Sequence, residues 1–163
     1  MKALGIAGYS GSGKTTLIEG LLPRLAAAGL TLGVLKQSHH DFEVDKPGKD
    51  SWRHRRAGAR QVLLTSPHRW MLVEELAGGA EPDLNAHLAR LSTCDLVLVE
   101  GCKHADLPKI EVWRAANGKP WLYPEDGRFI AVVADQLPHA NLPCFHLDDL
   151  PGVTAFILRW LRP

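Results

Sequence analysis

The chain has 163 residues, 45% of them hydrophobic, enough for one domain with a buried core and no need of disulfide or metal staples. Nineteen basic against 18 acidic side chains leave a formal charge of +1, which gives no support to a nucleic-acid or membrane-surface role. Three cysteines without a CxxC, no apolar run near the ~20 residues of a spanning helix and no signal-peptide pattern lead us to expect a soluble cytoplasmic protein with free thiols.

Residues 2–8 (KALGIAG) read as a short buried strand. Residues 14–28 read as a helix whose Ile18, Leu21, Leu22 and Leu25 share a face, with Gly29 as its stop and Pro23 as a point of bending. A second strand over 31–36 leads into a polar loop, and Asp50 is the expected N-cap of a helix over 51–57 that Gly58 ends. Residues 61–65 and 69–74 read as two strands joined by a turn at Ser66-Pro67-His68, followed by a helix near 83–91. Residues 95–100 (DLVLVE) are apolar on both faces, as in the middle of a parallel sheet. Residues 109–113 (KIEVW) alternate and suggest an edge strand, 117–127 a loop, 129–134 (FIAVVA) a buried strand, 144–147 a short last strand with Cys144 in the core, and 153–161 a closing helix. The alternation gives an α/β fold: a mostly parallel sheet with helices on both faces, in a single domain spanning 1–163.

One motif carries chemistry. Gly8-Tyr9-Ser10-Gly11-Ser12-Gly13-Lys14-Thr15 fits GxxxxGK[ST] at every fixed position, between a strand and a helix. Glycines allow the tight turn and bring backbone N–H groups to phosphate oxygens, and the helix start adds its partial positive charge. Ser10, Gly11, Ser12, Gly13, Lys14, Thr15 and Thr16 are therefore the expected phosphate cradle, with the Thr15 hydroxyl on Mg²⁺. Glu100, at the carboxyl end of its strand, would face the cradle and hold Mg²⁺ through water or position an attacking water. Asp95, at the other end, reads as structural. The guanine-reading Asn-Lys-x-Asp is absent; Asp135, after FIAVVA, is either an acceptor for a guanine edge or a turn-forming residue.

The stretch Lys36–Ser51 (KQSHHDFEVDKPGKDS) mixes histidines, acids and lysines. It follows the second strand, where loops ordered by Mg²⁺ and a γ-phosphate occur. Asp41, first among Asp41, Asp45 and Asp50, is the expected metal or water ligand, and Lys36, Lys46 and Lys49 are candidate phosphate contacts. Adjacent His39 and His40 make a poor two-histidine metal site. The competing reading is a solvated loop whose charges pair with one another.

Gly8–Thr16, Lys36 with His39-His40-Asp41, Asp45–Ser51 (DKPGKDS), Leu96–Gly101 with Lys103 and the tail Leu147–Trp160 together resemble the MobB family of molybdopterin-guanine dinucleotide biosynthesis adapter proteins, over essentially the whole chain. The resemblance implies a P-loop GTP-binding protein with a Rossmann-like sheet, homodimeric, weakly hydrolytic, and assisting the guanylyltransferase MobA, which joins GMP to molybdopterin. Cys102 stands where the family pattern suggests an aromatic residue. Tyr9 stands where dimeric ATPase relatives carry a lysine, so no partner lysine is expected to enter through this loop. The Trp70–Val73 run is a candidate dimer seam. Arg53, Arg55, Arg56 and Arg60 form a basic cluster that would bind the phosphate of a pterin substrate or a partner protein, or simply form a solvated helix face. Two other functions compete: a small-molecule kinase, for which no arginine-bearing lid stands out, and a metal-insertion GTPase, suggested by His39 and His40.

Overall fold

The computed structural model describes residues 1–38, 42–76, 78 and 83–162, which group into two compact units: Met1–Gln37 with His87–Pro163, and Ser38–Ala86. The larger unit is a six-stranded parallel sheet in the order β2-β5-β1-β6-β7-β8. Its strands are β1 (Lys2–Ala7), β2 (Leu32–Lys36), β5 (Leu96–Glu100), β6 (Lys109–Trp113), β7 (Phe129–Ala134) and β8 (Cys144–His146). The flanking helices are α1 (Lys14–Ala27) and α4 (Leu150–Leu161). α1 presents Leu17, Ile18, Leu21 and Leu25, and α4 presents Val153 and Ile157, to one cluster with Leu4, Ile6, Leu96, Leu98, Ile110, Val112, Ala131 and Val133 of the sheet. Pro23 lies inside α1 without ending it. Asp149 caps α4, its Oδ1 accepting from the Gly152 N–H at 2.9 Å. Among the described residues no helix is long and apolar enough to cross a membrane.

The expected edge strand KIEVW is instead interior: β6 pairs with β1 on one side and β7 on the other. Its alternation has a different cause. Ile110 and Val112 face the helical core, while Lys109 and Glu111, on the opposite face, are fully buried. Lys109 Nζ spends its three donors on Lys103 O (2.8 Å), Ala105 O (3.1 Å) and Asp126 Oδ2 (2.5 Å). Glu111 accepts the backbone N–H groups of Leu122 and Tyr123 at 2.8 to 3.1 Å. Burial pushes its carboxyl above the usual value, partly offset by those N–H donors. Polar side chains here tie loops to the sheet, and the sequence pattern of a half-solvated strand is the same. Gly5 makes room for this layer: a Cβ there would lie 2.6 Å from Lys109 Cγ and 2.7 Å from Cys102 Sγ. Cys102 is buried and its thiol donates to Val99 O at 3.2 Å.

The smaller unit holds α2 (Asp50–Arg56) and an antiparallel hairpin of β3 (Gln61–Thr65) and β4 (Trp70–Glu74), with α3 (Leu84–Leu88) following. Lys49, not Asp50, occupies the cap of α2, and Asp50 is its first residue. Arg55 is enclosed by carboxylates: Glu75 Oε1 at 2.6 Å, Glu43 Oε2 at 2.7 Å and Asp45 Oδ2 at 3.0 Å. Those three partners, Glu75 first, hold the guanidinium above its ordinary pKa. Cys144, expected in the core, is only half-buried on the last strand of the sheet.

Candidate functional site

The parallel strands bring their carboxyl ends to one edge of the sheet. Lys36 of β2 and Ile6 of β1 are both in register with Glu100 of β5. The phosphate-loop sequence starts from that edge. Two glycines have roles a side chain would prevent. At Gly8 (φ +154°) a Cβ would collide with the Val112 carbonyl oxygen of β6, so the loop can leave β1 only as glycine. Gly13, left-handed at φ +99°, caps α1 without a side-chain bond, so N–H groups of the first helical turn point out at the loop.

Of the expected site residues of this unit, Lys14, Thr15, Lys36 and Glu100 meet here. Thr15 Oγ1 donates to Glu100 Oε1 at 2.7 Å, and Lys36 Nζ stands 3.6 Å from the same oxygen. Glu100 is 8% exposed, so its charge is little screened by solvent. Lys14 Nζ donates back to Tyr9 O at 2.8 Å. Burial pushes the Lys14 ammonium below its ordinary pKa; Glu100 offsets this, and Lys103 and Lys36 add to it. Lys36 and Lys103 thus lie within electrostatic reach of Lys14, with Glu100 as the nearby carboxylate. Ser12 is 1% exposed, and its buried Oγ has no hydrogen-bond partner. A buried hydroxyl without a partner is costly, and an anion's oxygen would satisfy it. The orphaned hydroxyl, the outward N–H groups and the excess positive charge all fit a polyphosphate. The Thr15–Glu100 pair supplies hard oxygen donors suited to Mg²⁺.

Asp135 follows β7 and is exposed; its Oδ1 accepts the Ala115 N–H at 3.0 Å. Asp95 accepts the Thr31 N–H at 2.7 Å and ties β5 to the start of β2. Asp41, His39 and His40 lie outside the described residues, and Asp45 is committed to Arg55. Arg55 is therefore taken from the arginine cluster that offered a phosphate contact, and Arg56 stands over the Trp52 ring at 5.3 Å. Among the described residues no group of three histidine, cysteine or acidic side chains is placed to hold a metal ion.

Three further neighbours of the loop lie outside the GxxxxGK[ST] motif. Lys103 Nζ lies 4.3 Å from the Tyr9 ring centroid. Arg114 Nε donates to Ser12 O, and Asn117 Nδ2 to Ser10 O, both at 3.3 Å. The signal that finds the last two is the place of β6: a strand beside β1 must deliver its next residues beside the loop.

The molybdopterin guanine dinucleotide synthesis protein B family matches residues 3–135. The chain belongs to that family, MobB. It is 40% identical over 162 residues to the molybdopterin-guanine dinucleotide biosynthesis adapter protein of Escherichia coli (strain K12), covering 98% of this chain and 93% of that one. To the adapter protein of Haemophilus influenzae it is 42% identical over 160 residues, 98% and 89% of the two chains. A crystal structure of molybdopterin-guanine biosynthesis protein B superposes with a TM-score of 0.79 at 31% identity, and that of Bacillus subtilis MobB with 0.76 at 28%, each over 99% of both chains. A shorter likeness, 37% over 110 residues, links 60% of this chain to 47% of the urease accessory protein UreG of Mycolicibacterium gilvum. The MobB fold, a P-loop-type parallel sheet flanked by helices, is the one expected from the alternating pattern.

Proposed function

We propose that this MobB protein binds GTP with Mg²⁺ at Ser10–Thr16 and serves as an adapter in molybdopterin guanine dinucleotide biosynthesis, assisting a MobA-type guanylyltransferase. The observation that carries the nucleotide reading is the 2.7 Å bond joining Thr15 to the strand-end carboxylate Glu100, beside the left-handed Gly13 cradle. The loop N–H groups, the Ser12 hydroxyl and Lys14 would hold the phosphates, with Lys36 adding charge. Thr15 and Glu100 would hold Mg²⁺, directly or through its water, and the metal supplies charge neutralisation at the phosphates. Glu100 would orient water for a slow hydrolysis. Asp135 would accept the guanine N1/N2 edge, sharing its carboxylate with the Ala115 N–H. Equilibrium titration with GTP and ATP tests the assignment, and tight ATP binding without GTP binding would remove the guanine part. Metal insertion, suggested by the adjacent His39 and His40, is the second reading; stoichiometric nickel retained through dialysis would support it.

The homodimer belongs to the same proposal. The hairpin register places Leu63, Trp70 and Leu72 on one face, and they are 59%, 62% and 49% exposed. A two-stranded ribbon with such a face is marginal alone and gains stability by burying it. We expect a dimer at micromolar concentration by sedimentation, and a monomer for Leu72→Lys. A clean monomer of the unaltered chain would reject the seam.

A further inference from the structure

The contacts of Arg114 and Asn117 grip the phosphate loop by its carbonyls. β6 lies directly beside β1, with Ala7 in register with Glu111, so the chain after Trp113 emerges next to the chain after Ala7. It then makes a single 3₁₀ turn over Ala115–Asn117, closed by Gly118 at φ +57° and held from β7 by Asp135 through the Ala115 N–H. From this turn Asn117 Nδ2 reaches Ser10 O and Arg114 Nε reaches Ser12 O. The guanidinium also stands 3.5 Å from the point a Cβ on Gly13 would occupy, beside the first turn of α1.

A loop that binds phosphate must turn its N–H groups inward and its carbonyls away, because a carbonyl oxygen facing the anion repels it. Glycines at 8, 11 and 13 leave this loop free to flip peptide planes, and ordering them at the moment of binding would reduce affinity. Donors on the Ser10 and Ser12 carbonyls fix two of those planes beforehand. We propose that Arg114 and Asn117 are positioning residues of the phosphate loop. They hold Ser10–Gly13 in the anion-binding conformation, and Arg114 adds positive charge at the start of α1 for the polyphosphate of a nucleotide. This deepens the nucleotide reading and rests on it.

The test compares Arg114→Ala, Arg114→Lys and Asn117→Ala with the unaltered chain, by calorimetric titration with GTP and with inorganic tripolyphosphate, which has no base. Hydrogen exchange at the Ser10–Gly13 amides and thermal melts accompany it. Both alanine variants are expected to bind both probes about tenfold more weakly, the worth of one hydrogen bond to a charged site. Their loop amides should exchange faster, with melting temperatures close to the unaltered value. Arg114→Lys should recover part of the loss, since it keeps the charge without the planar donor. Variants that match the unaltered chain on both probes, or that lose GTP while keeping tripolyphosphate, overturn the inference and leave the nucleotide reading standing. An unaltered chain that binds neither probe overturns the nucleotide reading itself, and the inference with it.

Discussion

Lys14→Ala is expected to weaken binding of GTP with Mg²⁺ by about 10- to 100-fold, the range for losing a charge-assisted hydrogen bond. The melting temperature should stay near that of the unaltered chain. The two halves have separate causes. Lys14 opens α1 beside the cradle, and its ammonium would reach phosphate oxygens as the cation of GK[ST]. Its ammonium donates to Tyr9 O, and burial with Lys103 and Lys36 nearby disfavours its charged form despite Glu100. It therefore adds little to folding, and alanine is the better helix former at that position. Calorimetric titration and a thermal scan on the same preparation check both halves. Undiminished affinity would remove Lys14 from the site, and a large drop in melting temperature would give it a structural role instead.

Asp126→Ala should destabilise the fold by about 3 kcal/mol, the lower part of the range for removing one partner of a buried ion pair. Lys109 is fully buried, and Asp126 is its carboxylate; Lys103 O and Ala105 O remain as partners, which limits the loss. Asp126 also binds Arg128 through Nε at 2.6 Å, and Arg128 extends to Asp106 at 3.2 Å. Arg128, then Lys109, holds the Asp126 carboxyl well below its ordinary value near 3.8, against the pull of desolvation. A depressed carboxylate contributes stability that is present above its unfolded pKa and is lost as pH falls through the folded one. Urea denaturation across pH 2 to 7 should therefore show a steeper acid limb in the unaltered chain than in Asp126→Ala. Equal stability of the two chains at neutral pH would mean that Lys109 does not depend on this pair. The network matters to the site because Lys109 anchors the carbonyls of Lys103 and Ala105, just after Gly101, on the connection that carries Glu100 and Lys103.

The candidate phosphate cradle is legible in the sequence because its pattern is local: glycines, lysine and threonine at fixed spacing between a strand and a helix. Glu100 was readable because a strand apolar on both faces must be central, which puts its last residue at the ligand edge. β6 reads as an edge strand because Lys109 and Glu111 give the alternation of a half-solvated strand, although both are buried and fully engaged by loop backbone and Asp126. That one error also hid Arg114 and Asn117, whose part depends on which strand lies next to β1. The arginine run after Lys49 looked like an anion site because sequence does not show that Glu43, Asp45 and Glu75 converge on Arg55. Such pairings are made by tertiary packing and leave no periodic trace.

The measurement that bears most directly on the nucleotide site is equilibrium titration of the unaltered chain with GTP and with ATP, each with Mg²⁺ and again with a chelator. Saturable binding of one GTP per chain is expected, tighter with Mg²⁺ than without it and tighter than ATP. Saturable ATP binding with no detectable GTP binding would contradict the guanine assignment. Binding of neither would contradict the reading of Gly8–Thr15 as a working phosphate site.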